Sequence, residues 1–310
     1  MQPALSKLTV GITTRNRLNS LVRCVRSINI ISDFVHEIII VDDCSDHPVE
    51  EPLRKEIGEN FKPSIKVIRH DQNYGPIVAR NTIAKTAAAN LILSLDDDAV
   101  IIEPKGIKQA VEIIQKDESV AAVAFAQAEA DGNPWPMSMQ PSPMKYPCYV
   151  AAFIGFATLL RKDVFLSLGG YRSLFHYYGE EKEFCIRLLD AGHKVVYLPD
   201  ALVSHLPDPS GRSQQKYIRH AIRNDCLGAI YNEPLPIMIL SIPFRIYAYL
   251  RMVRQSQTQD SGGLSWIIRE IFSSLPEVWR ERHPIRWATF RQWRSIKKTW
   301  PQYNQRRDTL

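Results

Sequence analysis

The chain has 310 residues, of which 45% are apolar, and a formal net charge of +6. A chain of this length and composition buries a full core, so a globular protein with one large domain and an appendage is expected. Its five cysteines are widely scattered without a Cys-x-x-Cys pair, which argues against a disulfide framework or structural zinc and favours a reducing compartment.

The positive charge is concentrated near the C-terminus. Residues 245–310 contain 13 Lys and Arg against 5 Asp and Glu. The net charge of +8 in this segment leaves −2 for the rest of the chain. The basic character therefore belongs to the tail.

Neither a signal peptide nor a transmembrane helix is expected. The N-terminal residues lack a charged start followed by an apolar core, and they lead directly into the first predicted strand. The most apolar later stretch, residues 234–250, falls short of the roughly 20 apolar residues that a spanning helix needs. It is interrupted by Pro236, Pro243 and Arg245.

Strands and helices alternate along most of the chain. Continuous apolar strands predict a parallel sheet covered on both faces, and the alternation with helices predicts a doubly wound α/β sheet that binds ligands at its C-terminal edge. The predicted strands are 8–14, 37–41, 66–69, 91–95, 120–126, 149–160, 194–198 and 201–203, and the predicted helices are 18–28, 77–89, 107–115, 162–168 and 180–192.

A proline-rich segment, residues 133–147, carries five prolines and a tryptophan. Proline lacks a backbone N–H, which excludes a helix or a central strand here. The segment is predicted to be a long loop over the site. In the strand that follows, Gly155 allows another group to approach the backbone closely.

The segment LILSLDDDAV, residues 91–100, is a short apolar run that ends in Asp96, Asp97 and Asp98. Adjacent carboxylates repel one another unless a cation or hydrogen-bond donors compensate them, and hard oxygen ligands suit Mg²⁺ or Mn²⁺. On an extended strand end, Asp96 and Asp98 would point the same way and Asp97 the other. An isolated acidic triplet is also consistent with a solvated turn, so the other motifs decide its interpretation.

Six segments form a pattern when they are taken in order along the chain. They are VGITTRNR (10–17), VDDCSD (41–46), NYGPIVARN (73–81), LDDDAV (95–100), GEEKEFCIRLLDAGHKVVYLP (179–199) and SH (204–205). Together they resemble the family 2 inverting glycosyltransferases with a GT-A fold. The resemblance runs from about residue 8 to residue 232 and implies a Rossmann-like, mostly parallel central sheet flanked by helices. We accordingly expect a catalytic domain over residues 1–234 and a basic, aromatic helical extension over 235–310.

The resemblance implies a nucleoside-diphosphate sugar donor of the UDP, dTDP or GDP type. The side chain of Asp43 would accept a hydrogen bond from the pyrimidine ring, and Asp97 would hold sugar or ribose hydroxyls. Read from the residues alone, Asp42 and Asp43 also fit a helix N-cap after a strand. The full nucleotide-binding set implied by the resemblance is Thr13, Arg15, Asp43, Arg80 and Asp97.

A divalent metal, Mn²⁺ or Mg²⁺, is implied as the cofactor, with Asp96, Asp98 and His205 as its ligands. An imidazole ligand suits Mn²⁺ better than Mg²⁺. A histidine after a strand is also often only a satisfied polar residue. Three arginines further on are candidates for pairing with the phosphates: Arg212, Arg219 and Arg223.

The pair Glu180-Glu181 occupies the position of the family's Glu-Asp pair, whose second member acts as the general base. Glutamate at 181 departs from that pattern, so either the acceptor sits differently or Glu180 shares the role. We favour Glu181. A carboxylate at a helix start is stabilised as an anion, which would lower its basicity. A plain helix N-terminal charge is the structural alternative.

The C-terminal extension mixes tryptophans with Arg and Lys in helical patterns. Such helices suit the surface of an anionic bilayer. Packing on the catalytic domain and oligomerisation fit the same pattern equally well. Nucleic-acid binding is not expected, because the chain contains no recognised nucleic-acid module.

The sequence therefore predicts an inverting, metal-dependent glycosyltransferase that acts on a hydroxyl acceptor, such as a lipid-linked glycan, in cell-surface polysaccharide or glycolipid synthesis. We expect it in the cytoplasm, peripherally on the inner face of the cell membrane. A non-catalytic nucleotide-binding or membrane-associated module of the same fold is the alternative. A sugar-nucleotide pyrophosphorylase is disfavoured, because VGITTRNRL lacks the glycines of a phosphate loop.

Overall fold

The computed structural model describes residues 7–207, 213–256 and 260–304. The described chain folds into an α/β sheet protein with a C-terminal group of helices. Its strands are β1 (Leu8–Thr14), β2 (Val35–Asp42), β3 (Ser64–Arg69), β4 (Leu91–Asp96), β5 (Ala99–Ile101), β6 (Val120–Ala128), β7 (Cys148–Tyr149), β8 (Ala157–Arg161) and β9 (Lys194–His205). Its α-helices are α1 (Leu18–Ser27), α2 (Glu50–Ile57), α3 (Pro76–Thr86), α4 (Pro104–Lys116), α5 (Lys162–Ser167), α6 (Glu180–Asp190), α7 (Gln214–Asn232), α8 (Leu235–Gln255), α9 (Gly263–Arg280) and α10 (Trp287–Thr299).

One sheet contains all of these strands, in the order β3-β2-β1-β4-β8-β6-β9-β5, with β7 paired to β9. The four strands from β3 to β4 run parallel, as predicted. Beyond β4 the sheet is mixed, because β8 pairs antiparallel with both β4 and β6. Parallel neighbours need a helical crossover, and the connection from β6 to β8 contains no α-helix among its described residues. The expectation of a mostly parallel sheet therefore holds for this first half and for the β6–β9 pair, while β5, β7 and β8 pair antiparallel.

The predicted strand over residues 149–160 is wrong in its middle. Only its two ends, β7 and β8, lie in the sheet, and residues 150–156 leave it. Conversely, the two short strands predicted at 194–198 and 201–203 are one strand, β9, whose pairing with β6 is irregular where Phe125 is followed by Ala126. The break before β8 opens a place beside the sheet that a continuous strand would have filled.

Apolar side chains form one core on each face of the sheet. One face is covered by α1, α2, α4 and α10. The other is covered mainly by α3, α5, α7 and α9. These two layers hold the central strands rigidly, so the strand ends at the sheet edge have fixed positions.

The C-terminal extension packs on the sheet domain through α10. Phe290, Trp293 and Ile296 belong to the main core, and the Trp293 indole N–H donates to the carbonyl of Ala151 at 3.3 Å. Beyond α10, the backbone of residues 301–303 pairs with that of residues 147–149. Of the alternatives left open for this extension, packing on the catalytic domain is the one that α10 adopts. The domain boundary near residue 234 stays a prediction.

Among the described residues, α8 is the one helix long and apolar enough to cross a membrane by length and composition. The expectation that Pro236, Pro243 and Arg245 would interrupt this stretch is wrong. The first-turn Pro236 needs no intrahelical partner. Around Pro243 the helix is exposed, so water can satisfy the carbonyl of Ile239 that the proline leaves without an N–H donor. The charge of Arg245 is neutralised by ion pairs.

We predict that α10 contributes to the stability of the whole domain. The side chain of Trp293 is 8% exposed, so Trp293→Ala should lower the free energy of unfolding by about 3–5 kcal/mol through lost burial and a cavity. Trp287, 49% exposed on the same helix, is the matched control, and Trp287→Ala should cost less than about 1 kcal/mol. Denaturant unfolding measures both. Equal small losses would show that α10 is not part of the core.

Candidate functional site

The ends of β1, β2 and β4 bring polar groups to one edge of the sheet. Thr13 lies beside Asp96 across the β1–β4 pair, and Thr14 lies beside Asp42 across the β1–β2 pair. Because these strands are parallel, their carboxyl ends meet at the same edge. The sequence predicts polar residues at the ends of these strands, and the fold brings them to one edge of the sheet.

The loops after β1 and β2 are tied to each other. The Asn16 amide N–H donates to Ser45 Oγ at 2.9 Å, and the Asp46 N–H donates to Asn16 Oδ1 at 2.7 Å. In this pair of loops Arg15 is exposed, with its Nε donating to the carbonyl of Cys44 at 3.3 Å. Thr13, by contrast, is 9% exposed. Both predicted nucleotide residues lie at the edge, with Arg15 the more accessible.

Asp43 organises the turn that leads into α3. One carboxylate oxygen accepts the N–H of Tyr74 at 3.0 Å and lies 2.7 Å from His70 Nδ1, while the other accepts the N–H of Gly75 at 2.8 Å. The N-cap alternative is wrong, because α2 begins only at Glu50. Contact between Asp43 and a base stays a prediction.

The acidic triplet does not alternate as expected. The strand ends at Asp96, and the chain turns at Asp97 and Asp98 before β5, so the two-residue period stops there. Asp97 accepts from Thr14 Oγ1 at 2.7 Å and from Arg17 Nη1 at 3.1 Å. The same Arg17 nitrogen lies 3.5 Å from Asp98 Oδ2. Burial nevertheless raises the pKa of Asp97 to about 7, because the loss of hydration outweighs the pairing with Arg17.

His205 faces Asp98 with its Nε2 atom 3.5 Å from Asp98 Oδ1. The side-chain amide of Gln127 donates to the carbonyl of Met139, so its oxygen faces His205 Nδ1, at 2.6 Å. Nδ1 must then carry a proton. In the neutral ring the lone pair of Nε2 faces the carboxylate, where a bound cation would compensate both acceptors, and in the charged ring a proton on Nε2 does so.

The ring of His205 is held between two aromatic side chains. It stacks on Phe156 with a centroid distance of 4.8 Å and on Trp135 with a centroid distance of 5.3 Å. Because Trp135 belongs to the proline-rich segment 133–147, that loop does lie over the site, as predicted. The stacking fixes the ring plane, and Gln127 fixes its rotation.

Arg80 joins the acidic strand end to α6. Its Nη1 donates to Glu180 Oε1 at 2.7 Å, and its Nη2 donates to Asp96 Oδ1 at 2.7 Å and to the carbonyl of Gly155 at 3.3 Å. Arg80 is 9% exposed and Glu180 only 3%. The predicted nucleotide residue Arg80 is thus placed as a buried bridge between two predicted site carboxylates.

Glu181 lies against the segment that leaves the sheet before β8. A Cβ atom at position 155 would come within 2.5 Å of Glu181 Oε1, so a larger residue there would displace this carboxylate, and the expected close approach to Gly155 is confirmed. Glu181 is partly exposed, whereas Glu180 is buried against Arg80. Glu181 is therefore the more accessible carboxylate of the two.

The basicity of Glu180 and Glu181 is raised, whereas their position at a helix start was expected to lower it. Burial raises the pKa of Glu181, and burial together with the neighbouring Glu181 charge raises the pKa of Glu180 to about 8. The guanidinium of Arg80 lowers both, but one cation cannot compensate several buried carboxylates. Desolvation therefore outweighs the helix dipole here.

The site holds more carboxyl groups than cationic side chains. Two arginines, Arg17 and Arg80, face five carboxylates. Within the described ranges no three His, Cys, Asp or Glu side chains are already grouped as a metal site. Asp98 and His205 converge, while Asp96 is turned to Arg80, so the full ligand set stays a prediction. The carboxylates are Asp96, Asp97, Asp98, Glu180 and Glu181.

The arginines proposed to pair with the phosphates are engaged elsewhere. Arg219 forms a two-nitrogen ion pair with Asp260. Arg223 is buried and donates to the carbonyl of Leu174 at 2.7 Å. Both predictions are therefore wrong, because local acceptors on neighbouring elements take up their donors. Arg212 lies outside the described residues.

Sequence reasoning missed three contributors to the site. Arg17 contacts two of the three acidic residues, Gln127 sets the histidine tautomer, and Trp135 stacks on the imidazole. Arg17 belongs to a motif noted above, so its position after β1 was a usable signal. Gln127 sits at the end of an apolar strand, and nothing in its neighbours marks it.

The chain is similar to known proteins in both sequence and fold. The sequence model of the family described as "Glycosyl transferase family 2" matches residues 9–172. The pre-mycofactocin glycosyltransferase of Mycobacterium tuberculosis is 28% identical over 215 residues, which cover 66% of this chain and 43% of that protein. The amylovoran biosynthesis glycosyltransferase AmsE of Erwinia amylovora is 24% identical over 206 residues, covering 63% and 73%.

Among solved structures, GalNAc-T7 with UDP, GalNAc and Mn²⁺ superposes with a TM-score of 0.63 at 18% identity, over 89% of this chain and 58% of that one. At this identity the likeness shows the fold alone, and it confirms the GT-A architecture. The chain spans less than half the length of the mycobacterial relative and little more than half of GalNAc-T7.

We predict that protonation of Glu180 shapes stability between about pH 5 and pH 8. The folded state keeps a proton up to about pH 8 that the unfolded chain loses near its ordinary pKa of 4.5, so stability is lost as the pH rises through this window. Glu180→Gln should flatten the slope by up to about 1.4 kcal/mol per pH unit.

Denaturant unfolding at several pH values without divalent cations measures this slope. Glu118→Gln, at an exposed position, serves as the control and should leave it unchanged. An unaltered slope in Glu180→Gln would mean that Glu180 is ionised in the folded protein.

Proposed function

The chain belongs to glycosyl transferase family 2, since the family's sequence model matches more than half of it, and from this membership we propose that it is an inverting, metal-dependent glycosyltransferase. It transfers one sugar from a nucleoside-diphosphate sugar to a hydroxyl group of an acceptor. The bridge of Arg80 between Asp96 and Glu180 carries this proposal. It holds the donor edge and the start of α6 in one rigid unit, as a displacement between two bound substrates requires.

The donor would lie along the edge formed by β1, β2 and β4. Arg15 is exposed for contact with the nucleotide. Asp43 accepts hydrogen bonds from the backbone of the 70–75 turn, and the nucleobase would bind next to it. Asp97, next to Arg17, would receive sugar or ribose hydroxyls. UDP, dTDP and GDP all fit this description, so the nucleotide is left to experiment.

The site fits a divalent cation by its chemistry. A diphosphate is itself negative, and the excess of carboxylates at this edge would repel it without a compensating cation. Asp98 and His205 would hold the cation, with Asp96 as the third predicted ligand, and the lone pair of His205 Nε2 suits Mn²⁺. When bound, the cation would neutralise the charge of the leaving diphosphate.

Glu181 would remove the proton from the acceptor hydroxyl. The partly exposed carboxylate of Glu181 lies beside Gly155. Because Gly155 has no side chain, there is room for this carboxylate. A raised pKa makes the carboxylate a stronger base once ionised, which favours proton abstraction near neutral pH. Glu180, paired with Arg80, would position α6 and would not contact the acceptor.

The acceptor would approach from the side of α6. The start of α6 carries Glu181, the partly exposed carboxylate of the pair. A separate cavity of about 370 Å³ lies on another face of α6, where Gly179, Lys182 and Arg245 line it and neither Glu180 nor Glu181 does. The relative AmsE is named for amylovoran biosynthesis, and a cell-surface polysaccharide or glycolipid intermediate is the acceptor class that we propose here.

A panel of nucleotide sugars tests the function directly. Thermal unfolding of the full chain with UDP-, dTDP- and GDP-sugars should show one nucleotide class that raises the midpoint, and only when Mn²⁺ or Mg²⁺ is present. The same pair should release free nucleoside diphosphate. Stabilisation without any turnover would instead support the non-catalytic alternative.

We predict that Asp98→Asn abolishes the metal-dependent part of nucleotide binding while the fold is kept. Removing one charge takes away a ligand that faces His205, and the amide nitrogen of asparagine would repel the cation. The readout is the midpoint shift on adding nucleotide with Mn²⁺. Asp200→Asn, at an exposed position, is the control. An unchanged Mn²⁺ dependence in Asp98→Asn would refute the assignment.

We predict that Glu181→Gln lowers turnover by about 10²–10⁴-fold, the usual loss when a general base is removed, with nearly unchanged donor affinity. Steady-state release of nucleoside diphosphate gives the turnover, and thermal shift gives the affinity. Glu180→Gln should affect donor positioning first. A comparable selective loss of turnover in Glu180→Gln alone would move the role of base to Glu180.

A further inference from the structure

The outward face of α8 is apolar and exposed. Leu240, Phe244 and Tyr247 are 65%, 74% and 65% exposed, which is far above the exposure of large apolar side chains in a core. Turns of the same helix on either side continue the face. The remaining large apolar members are Leu235, Ile239 and Leu250.

The inward face of α8 fixes the orientation of the helix. Arg245 donates to Asp225 at 2.9 Å and to Glu233 at 2.6 Å. One turn further, the Tyr249 hydroxyl donates to Asp260 at 2.7 Å. Rotating α8 to bury its apolar face would break these pairs. The exposure of that face therefore follows from the fold.

The same contacts exclude a spanning role for α8 in this fold. Insertion of the helix across a bilayer would separate Arg245 from both carboxylates and place its charge among lipid chains, at a high energetic cost. A helix with one packed, charged face and one apolar face lies in the plane of a membrane surface.

The charges around the face indicate which surface it fits. The 21 residues of α8 contain no Asp or Glu, and Arg251 and Arg254 are exposed at its C-terminal end. On α9, which packs on α7 and α8, Phe272 is exposed and lies one turn from the exposed Arg269. Apolar side chains bordered by arginines match lipid tails beneath anionic headgroups.

We propose that the outward face of α8 docks in the plane of an anionic bilayer, as found on the cytoplasmic leaflet of a cell membrane. This differs from the sequence expectation in its location. The tryptophan-rich helices were expected to meet the lipid, but Trp293 of α10 is buried in the core, whereas α8 contains no tryptophan.

Docking would bring the cavity of about 370 Å³ between α6, α7 and α8 close to the membrane, because Arg245 lines it from the inward side of α8. Docking itself does not depend on the proposed function, and the test below has no activity readout.

Sedimentation with vesicles tests the docking of the full chain. The protein should pellet with vesicles of phosphatidylcholine mixed with phosphatidylglycerol and much less with phosphatidylcholine alone. Leu240→Glu combined with Phe244→Glu should lower the partition coefficient at least about tenfold. Ile30→Glu combined with Ile102→Glu is the matched control, at residues 45% and 40% exposed outside this face, and should bind like the unchanged chain.

The charge contribution is tested separately. Arg251→Gln combined with Arg254→Gln should lower binding to the anionic vesicles by about fivefold per arginine, and added salt should weaken the unchanged chain in the same direction. All variants change exposed residues, so circular dichroism and unfolding midpoints should match those of the unchanged chain.

Three results would overturn the proposal. Equal pelleting of the Leu240/Phe244 variant and the control would exclude the α8 face, and equal binding to neutral and anionic vesicles would exclude charge recognition. A lipid-free dimer that this variant converts to a monomer, without vesicle binding by either, would assign the face to a second copy of the chain.

Discussion

The buried guanidinium of Arg80 is the interaction on which the site depends. It reaches Asp96 at the end of β4 and Glu180 at the start of α6, each at 2.7 Å. Glu180 is buried and Asp96 is partly exposed, and both are bonded to this one cation, so the end of β4 and the start of α6 are held as one unit. The same bridge distinguishes Glu180 from Glu181. The first is buried against Arg80, and the second stays partly exposed.

The break in the sheet before β8 makes room for that bridge. If residues 150–156 had continued as a strand, backbone and side chains would fill the place where Arg80 and Glu181 meet Gly155. The mixed half of the sheet brings β9 and its terminal His205 next to Asp98, across from the parallel strands that carry the acidic residues.

Around His205, neutral groups fix the imidazole. Gln127 fixes a proton on Nδ1, and two aromatic rings fix the plane, so Nε2 faces Asp98. The proposed cation would therefore meet ligands that are already in position. Helix α8 is organised by the opposite means, with paired charges on its inward face and apolar groups on its outward face.

The sequence by itself determined most of the strands, the helices between them and the polar residues at the strand ends, because burial periods and turn-forming residues are local signals. It also located Gly155 as a point of close approach. Only the tertiary structure decided that Arg80 pairs with Glu180, 100 residues away, and that Arg219 and Arg223 are used elsewhere. Pairings at such separation depend on how elements pack, and no local pattern records which of several available carboxylates or carbonyls a given arginine will meet.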